Sequence, residues 1–384
     1  MSPESPYGDL SEEAGAAMGA KPRGKAAPRS VAPRGRNYNA EIRAALRGEA
    51  PRYVPFTIYP GMLVRGSFER RMRERGVSIC WRVAPFSASS PDVKISYVPD
   101  NKDGVNRTRV VYETPVGTLT ALSQAGGYGS SRTIEHPVKT LDDYRVAEFM
   151  ARNTVYEPAY DSFLKAQEQL GTDGYVLSST SYSPLMHIEV ALLGIERFCT
   201  EIIDHEAEIM SLYQVLWEKQ REMFRIVAKG PSEVCLYGGN IMPETLGPRR
   251  IEKYIVPCFK DFADVMHEEG KMLGCHLDAD NSMLLEMVVR TGLDMIEAFT
   301  PPPDCDTSVA AARAAWPGKV LSLNFPSSVH LRDAESIKQA ARQLIEEAGN
   351  RRGFIMGITE DVPWEALQRS LPAILDVIEE CPLD

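Results

Sequence analysis

No run in the 384-residue chain approaches the roughly 18 to 20 consecutive apolar residues that a membrane helix needs. The N-terminus lacks the apolar centre of a secretory signal, so a cytoplasmic location is expected. Cysteine is sparse. The seven cysteines at 80, 199, 235, 258, 275, 305 and 381 are odd in number and contain no C-x-x-C pair, which argues against a disulfide framework and a zinc ribbon. They are expected to be reduced, buried small hydrophobes. Positive charge is also short. With 43 Lys and Arg against 53 Asp and Glu, the formal charge is -10, and phosphate contacts need clustered basic residues, so nucleic acid is a poor partner. No G-x-G-x-x-G, P-loop or G-x-S-x-G element occurs. The Gly-rich "GGYGSS" at 126–131 is neither preceded by a strand nor followed by a helix in the way phosphate binding requires. At 43% hydrophobic and 25% charged residues, what remains is an ordinary globular chain whose partner is a small molecule or another protein.

Residues 1–37 are rich in Ala, Gly, Pro and Ser, and "KPRGKAAPRSVAPRGR" carries six basic residues with no acid and no hydrophobic period. A disordered basic tail is expected there, with a single domain over 38–384. From Asn37 onward, short apolar runs alternate with amphipathic stretches, the sign of βα units around a parallel sheet. Eight strands are predicted: 54–59, 77–83, 174–180, 233–239, 271–277, 293–299, 319–325 and 353–358. Helical stretches such as "NSMLLEMVVRTG" separate them, each ending near the Gly or Asn of a C-cap. Eight such units close most economically as a (β/α)8 TIM barrel. The α/β barrel carries extra N-terminal helices and, between the second and third strands, an inserted antiparallel hairpin over the mouth, read from "VKISYV" and "NRTRVVYETPVGTLTAL". Helical blocks are expected at 141–170 and 187–229.

Active sites of such barrels lie at the carboxyl ends of the strands. The polar residues there are Tyr59 and Arg65, Tyr182 and His187, Asn240, then His276, Asp278 and Asp280, Glu297, Asn324, and finally Thr359, Glu360 and Asp361. Within "CHLDAD", period-two geometry puts His276, Asp278 and Asp280 on one side. Three readings stand beside one another. His276 and Asp278, with a third ligand of the type of Glu297 or Glu360, would suit zinc. Alternatively, Asp278 orients His276 for acid/base work, or the aspartates only cap the next helix. Glu297 sits inside "MIEAF", where an unpaired carboxylate is costly, so it must meet a cation, a metal, a substrate or a structural Arg or Lys. Asn324 either holds a ligand or ties two loops. Cys305, in the stiff loop "TPPPDCDTS", is an inert thiol or a soft-metal ligand. His136, His205, His267 and His330 show no ligand spacing and read as surface residues.

The run from "RGEAPRYVPFTIYP" through "TPVGTL", "HPVKTLDDYR", "PETLGPRRIEKYIVPCFKDFADVMHEEGKMLGCHLDAD" and "TGLDMIEAF" to "GITEDVPWEALQ" resembles the uroporphyrinogen decarboxylase superfamily over about residues 38–382. The resemblance implies one TIM barrel and two possible chemistries. The decarboxylase branch should show an Arg-rich "RQAGR" segment after the first strand, where this chain has "YPGMLVRGSFERR". It also expects an Asp-bearing loop after the second, and "RVAPFSASS" has none. The other branch passes methyl groups to or from corrinoid proteins, often using zinc held by His-x-Cys and a distant cysteine. His276 matches that pattern, Asp278 replaces the first cysteine, and Thr359 or Glu360 stands where the second would be. The resemblance therefore implies a methyltransferase that demethylates a small methoxylated or methylated compound onto cobalamin carried by a partner corrinoid protein. His276, Glu297 and Asn240 would be catalytic, Tyr59, Arg65, Tyr182, His187 and Asn324 would bind substrate, and His276, Asp278 and Glu360 would hold zinc. The alternative is a decarboxylase or lyase acting on a small carboxylated substrate without corrinoid, held by Arg65, Tyr182 and His276.

Overall fold

All eight predicted strands form, and they close into one barrel. The computed structural model describes residues 37–126 and 131–383. The predicted tail and most of the Gly-rich turn lie outside those residues. Strands β1 (Phe56–Ile58) and β2 (Val77–Val83) begin the barrel. The insertion follows with β3 (Phe86–Ser89), β4 (Lys94–Pro99), β5 (Arg107–Thr114), β6 (Gly117–Ala125), β7 (Ser131–Glu135) and β8 (Val155–Pro158). The barrel resumes with β9 (Gly174–Ser179), β10 (Val234–Leu236), β11 (Met272–His276), β12 (Met295–Phe299), β13 (Val320–Asn324) and β14 (Phe354–Ile358). Its strands run β1, β2, β9, β10, β11, β12, β13, β14 and back to β1, every pair parallel. Parallel pairing requires a crossover between neighbours, and the intervening helices supply it.

Alternation along each strand separates two cores. Tyr59, Cys80, Tyr175, Leu177, Leu236, Met295, Val320 and Ile355 meet one another inside the barrel. Phe56, Ile58, Cys235, Leu273, Cys275, Ile296, Leu321, Phe354 and Met356 face outward and pack with the surrounding helices. Each strand is therefore buried on both sides, which is why it reads as a nearly continuous apolar run. One helix precedes β1 among the described residues, Tyr38–Leu46, where several were predicted. Asn37, assigned from sequence to the tail, is its N-cap and accepts the N–H of Ala40. Ile42, Ala45 and Leu46 of this helix join the interior cluster, and it packs beside β9 and β14. It plugs the amino-terminal end of the barrel, opposite the carboxyl ends of the strands.

The insertion departs from the predicted hairpin. Strands β4 to β7 make a four-stranded antiparallel sheet, and β3 pairs with β8. Three more strands, β3, β7 and β8, paired because "FSAS", "SRTIE" and "VYEP" are short runs next to turn residues, which local pattern does not distinguish from loop. The sheet rests on the helix Leu141–Asn153, where Leu119, Val138 and Tyr144 are buried together. That helix packs in turn on the long helix Glu206–Lys229 at the side of the barrel. The block expected to be helical over 141–170 is thus broken by β8. No helix among the described residues is long and apolar enough to cross a membrane.

Candidate functional site

Strand register assembles the centre of the mouth. His276 ends β11 and lies directly opposite Glu297 of β12, so their side chains leave the same face of the sheet. His276 Nδ1–H donates to Glu297 Oε2 at 2.5 Å, and Nε2–H donates to Asp278 Oδ2 at 3.0 Å. Tyr59, following β1, donates its hydroxyl to the other Glu297 oxygen. Asn240, in the loop after β10, accepts the backbone N–H of Asp278 at 3.0 Å. That loop runs close beneath Tyr182, because Gly239 brings no side chain: a Cβ there would lie 3.0 Å from the tyrosine ring.

The strand β12 is itself distorted where it carries Glu297. Ala298 adopts φ 57°, and the pairing with β13 shifts between Ile296 and Phe299. A β-bulge of this kind re-aims side chains. Glu297 points inward to His276, while Phe299 turns outward and meets Trp316 edge to face, with ring centroids 6.0 Å apart. Left-handed backbone at a non-glycine residue costs about 1–2 kcal/mol. The surrounding packing holds the strain, since Ala298 is fully buried.

Electrostatics make His276 a cation. Burial by itself lowers its pKa, but the charge of Glu297 and the hydrogen bonds to Asp278 and Glu297 outweigh it and raise the imidazole to about 9. For Glu297, only 2% exposed, burial pushes the pKa up, and His276, Arg82 and the Tyr59 hydroxyl bring it below the ordinary range. Asp278 is opposed by burial and lowered by His276 and by Asn240. A buried carboxylate survives ionised only when paired and hydrogen-bonded, and Glu297 has both conditions. The result is an imidazolium between two carboxylates, one deep and one nearer solvent: 2% of the Glu297 side chain is accessible against 20% for Asp278.

The sequence reading overlooked Arg82. Cys80 and Arg82 lie on one face of β2, and Cys80 belongs to the interior cluster. Trp81 and Val83 face the other way, toward Phe163 and Val176. The guanidinium of Arg82 lies over the Tyr59 ring, 4.1 Å from its centroid, and its charge acts on Glu297 and Asp278. A lone arginine in "SICWRV" is the same signal as the lone glutamate in "MIEAF", and would have been found by the same rule.

Other predicted site residues lie elsewhere. Arg65 points into solvent, with 85% of its side chain exposed and Glu69 at 3.7 Å. His187 is buried in a separate small cavity with Ser181, Gln220 and Lys219, where desolvation pushes its pKa down to about 4. Asn324 is fully buried, donates to Thr300 Oγ1 at 3.1 Å and accepts the N–H of Thr359 at 3.0 Å, so it ties two strand ends. Asp280 leaves the strand, which stops at His276, and accepts the N–H of Asp306. The predicted helix-capping role falls to Asp306, which accepts the N–H groups of Asn281 and Ser282. Glu360 accepts from Ser327 at 3.0 Å. Its pKa is raised by burial and by the Asp278 charge. Cys305 donates to the Asp278 carbonyl at 3.2 Å, and burial pushes its thiol up to about 12. His330, read as a surface residue, is fully buried against Phe325 and Ser370.

The zinc set fits this arrangement poorly. Both ring nitrogens of His276 are engaged by carboxylates, Glu360 is turned to Ser327, and no group of three His, Cys, Asp or Glu side chains forms a metal-holding cluster among the described residues. A zinc ligand must offer a free lone pair.

The model of the family described as "Uroporphyrinogen decarboxylase (URO-D)" matches residues 127–381, well over half of the chain. The chain belongs to the uroporphyrinogen decarboxylase family. The expected superfamily and its barrel both hold. No curated protein matches the sequence at a significant level. Among solved structures, a methyltransferase from Methanosarcina mazei is 11% identical with a TM-score of 0.55, covering 90% of this chain and 99% of that one. At such identity the likeness concerns the fold alone. A glycoside hydrolase family 5 enzyme from Prevotella bryantii (12% identity, 64% and 87% covered, TM-score 0.38) and a putative vitamin-B12 independent methionine synthase from Listeria monocytogenes (11%, 58% and 69%, 0.33) score too low to carry any argument. The URO-D family is one of enzymes, and this member's polar residues gather where a barrel enzyme does its chemistry.

Proposed function

We propose that this URO-D family member transfers a methyl group from a small O- or N-methylated compound to the corrinoid of a partner protein, with His276 as general acid. The observation that carries the reading is the His276 imidazolium, held between Glu297 and Asp278 at the carboxyl end of the barrel strands. Demethylation of an ether or amine leaves a basic heteroatom that must gain a proton as its bond to carbon breaks. His276 can supply it from Nε2, the nitrogen on the more exposed Asp278 side. Glu297, with Tyr59 on its second oxygen, fixes the ring from behind. Asn240 fixes Asp278. The methyl group passes to the electron pair of the acceptor, and the proton ends on the departing heteroatom.

A second reading is decarboxylation or lyase chemistry on a small carboxylated substrate, without corrinoid, and the family match favours it. Loss of carbon dioxide leaves a carbanion, which the same imidazolium would protonate.

The test is to incubate the purified chain with methylated probes and reduced cobalamin and to follow the cobalamin spectrum. Methyl transfer that falls by about 10²- to 10⁴-fold in His276→Gln is expected for a general acid. Carbon dioxide release from a carboxylated probe in the absence of any corrinoid, with no methyl transfer, would overturn the methyltransferase reading in favour of the second.

A further inference from the structure

Arg82 carries a positive charge that acts on Glu297 and Asp278. Its acidic neighbours are each hydrogen-bonded to other groups. One Glu297 oxygen takes the Tyr59 hydroxyl and the other takes His276. One Asp278 carboxylate oxygen takes His276, and its backbone N–H is held by Asn240. Glu360 is held by Ser327. The guanidinium itself makes a stacking contact with Tyr59 and has neither a hydrogen bond nor an ion pair among the described residues. That leaves the five N–H donors of its planar fork without a protein partner. Its nitrogens are not among the buried polar atoms that lack a partner, so its edge is within reach of a ligand, and a carboxylate would meet it with two parallel hydrogen bonds.

From this we infer that Arg82 is the anion anchor of the site, and that the substrate is a small methylated compound bearing a carboxylate. The inference rests on the barrel-mouth reading above and narrows its substrate class. Arg82 touches Tyr59, Tyr59 touches Glu297, and Glu297 touches His276. Arg82 and His276 therefore belong to one contiguous cluster of side chains. The anchor belongs to β2, a barrel strand, so it is positioned more rigidly than a loop residue such as the exposed Arg65.

Binding of matched neutral and anionic probes tests this on the full chain. The pairs are 4-methoxybenzoate with 4-methoxybenzamide, and methoxyacetate with methoxyacetamide, measured by calorimetry at pH 7. At least one carboxylate should bind tenfold or more tightly than its amide. Arg82→Gln should bring that ratio close to one while the His276 titration persists. Arg82→Lys, which keeps the charge but not the fork, should leave an intermediate ratio. Equal affinities in the unaltered protein, no binding of either carboxylate, or a ratio unchanged in both variants would each overturn the anchor. The two proposals fail separately. A carboxylate preference without methyl transfer leaves the anchor standing and removes the methyltransferase reading. Methyl transfer equally fast from amide and carboxylate probes removes the anchor and leaves that reading standing.

Discussion

Glu297→Gln is the most informative single change at the site, because it removes the deep carboxylate while keeping its shape. In the unaltered protein His276 titrates at about 9 instead of 6.5. Such a raised pKa contributes stability that is fully present below pH 6.5 and is lost as pH rises through 9. A shift of that size corresponds to at most about 3 kcal/mol. The two carboxylates act in the opposite direction. Their pKa values are lowered, so their contribution is present above the ordinary values of 4.5 and 3.8 and is lost on acidification. This site is therefore most stabilising between about pH 4.5 and 6.5. Without the Glu297 charge, burial, the largest influence on His276 and one that lowers its pKa, is opposed only by Asp278 and the more distant Glu360. The imidazole should then titrate near or below 6.5, and the loss of thermal stability between pH 6.5 and 9 should nearly vanish. Proton NMR of the imidazole signals reads this directly, since the chain has six histidines and two others, His187 and His330, are held down near 4. A signal absent in His276→Gln identifies the residue. An unaltered protein with no histidine titrating above 8, or a Glu297→Gln protein that still titrates near 9, would refute the carboxylate clamp and with it the general acid.

Three further outcomes follow from the same geometry. Asn324→Ala should lower stability by about 1–3 kcal/mol, because it leaves the Thr359 N–H without its acceptor. The His276 titration should not move, which separates a structural tie from a site residue. Ala298→Val should destabilise by about 1–3 kcal/mol, since a β-branched side chain in left-handed backbone at a fully buried position is strained and overpacked. Ala298→Gly should stay within about 1 kcal/mol of the unaltered protein in thermal or denaturant unfolding. Dialysis against EDTA should leave the thermal midpoint unchanged, because both His276 nitrogens are already occupied. Zinc found at one equivalent by elemental analysis and lost in His276→Gln would contradict that.

Much of the fold was legible because each barrel strand is buried on both sides and so reads as an apolar run bounded by turns. The predicted ranges 77–83 and 174–180 correspond closely to β2 and β9. The insertion was less legible. Its strands are half-exposed and their alternation is weak, so a sheet of four strands read as a hairpin. The site was legible by residue type but not by direction. Being near a strand end put Arg65, His187 and Asn324 beside His276 in the reading, whereas the turn after β1 leaves Arg65 in solvent and the short helix Pro184–His187 after β9 turns His187 into its own cavity.

By itself, the sequence determined that this chain is a parallel barrel with His276 and Asp278 at the end of one strand and Glu297 buried in the next, since periodicity and burial are local properties of the chain. The tertiary structure decided what those residues do to one another. Register placed Glu297 opposite His276, the Ala298 bulge aimed it inward, and barrel closure brought Tyr59 and Arg82 across from the other side. The physical reason is that charge interactions depend on distances of a few ångströms between segments far apart in sequence. Whether His276 serves a metal or a proton therefore rests on which atoms it faces. In this barrel both of its nitrogens face carboxylates.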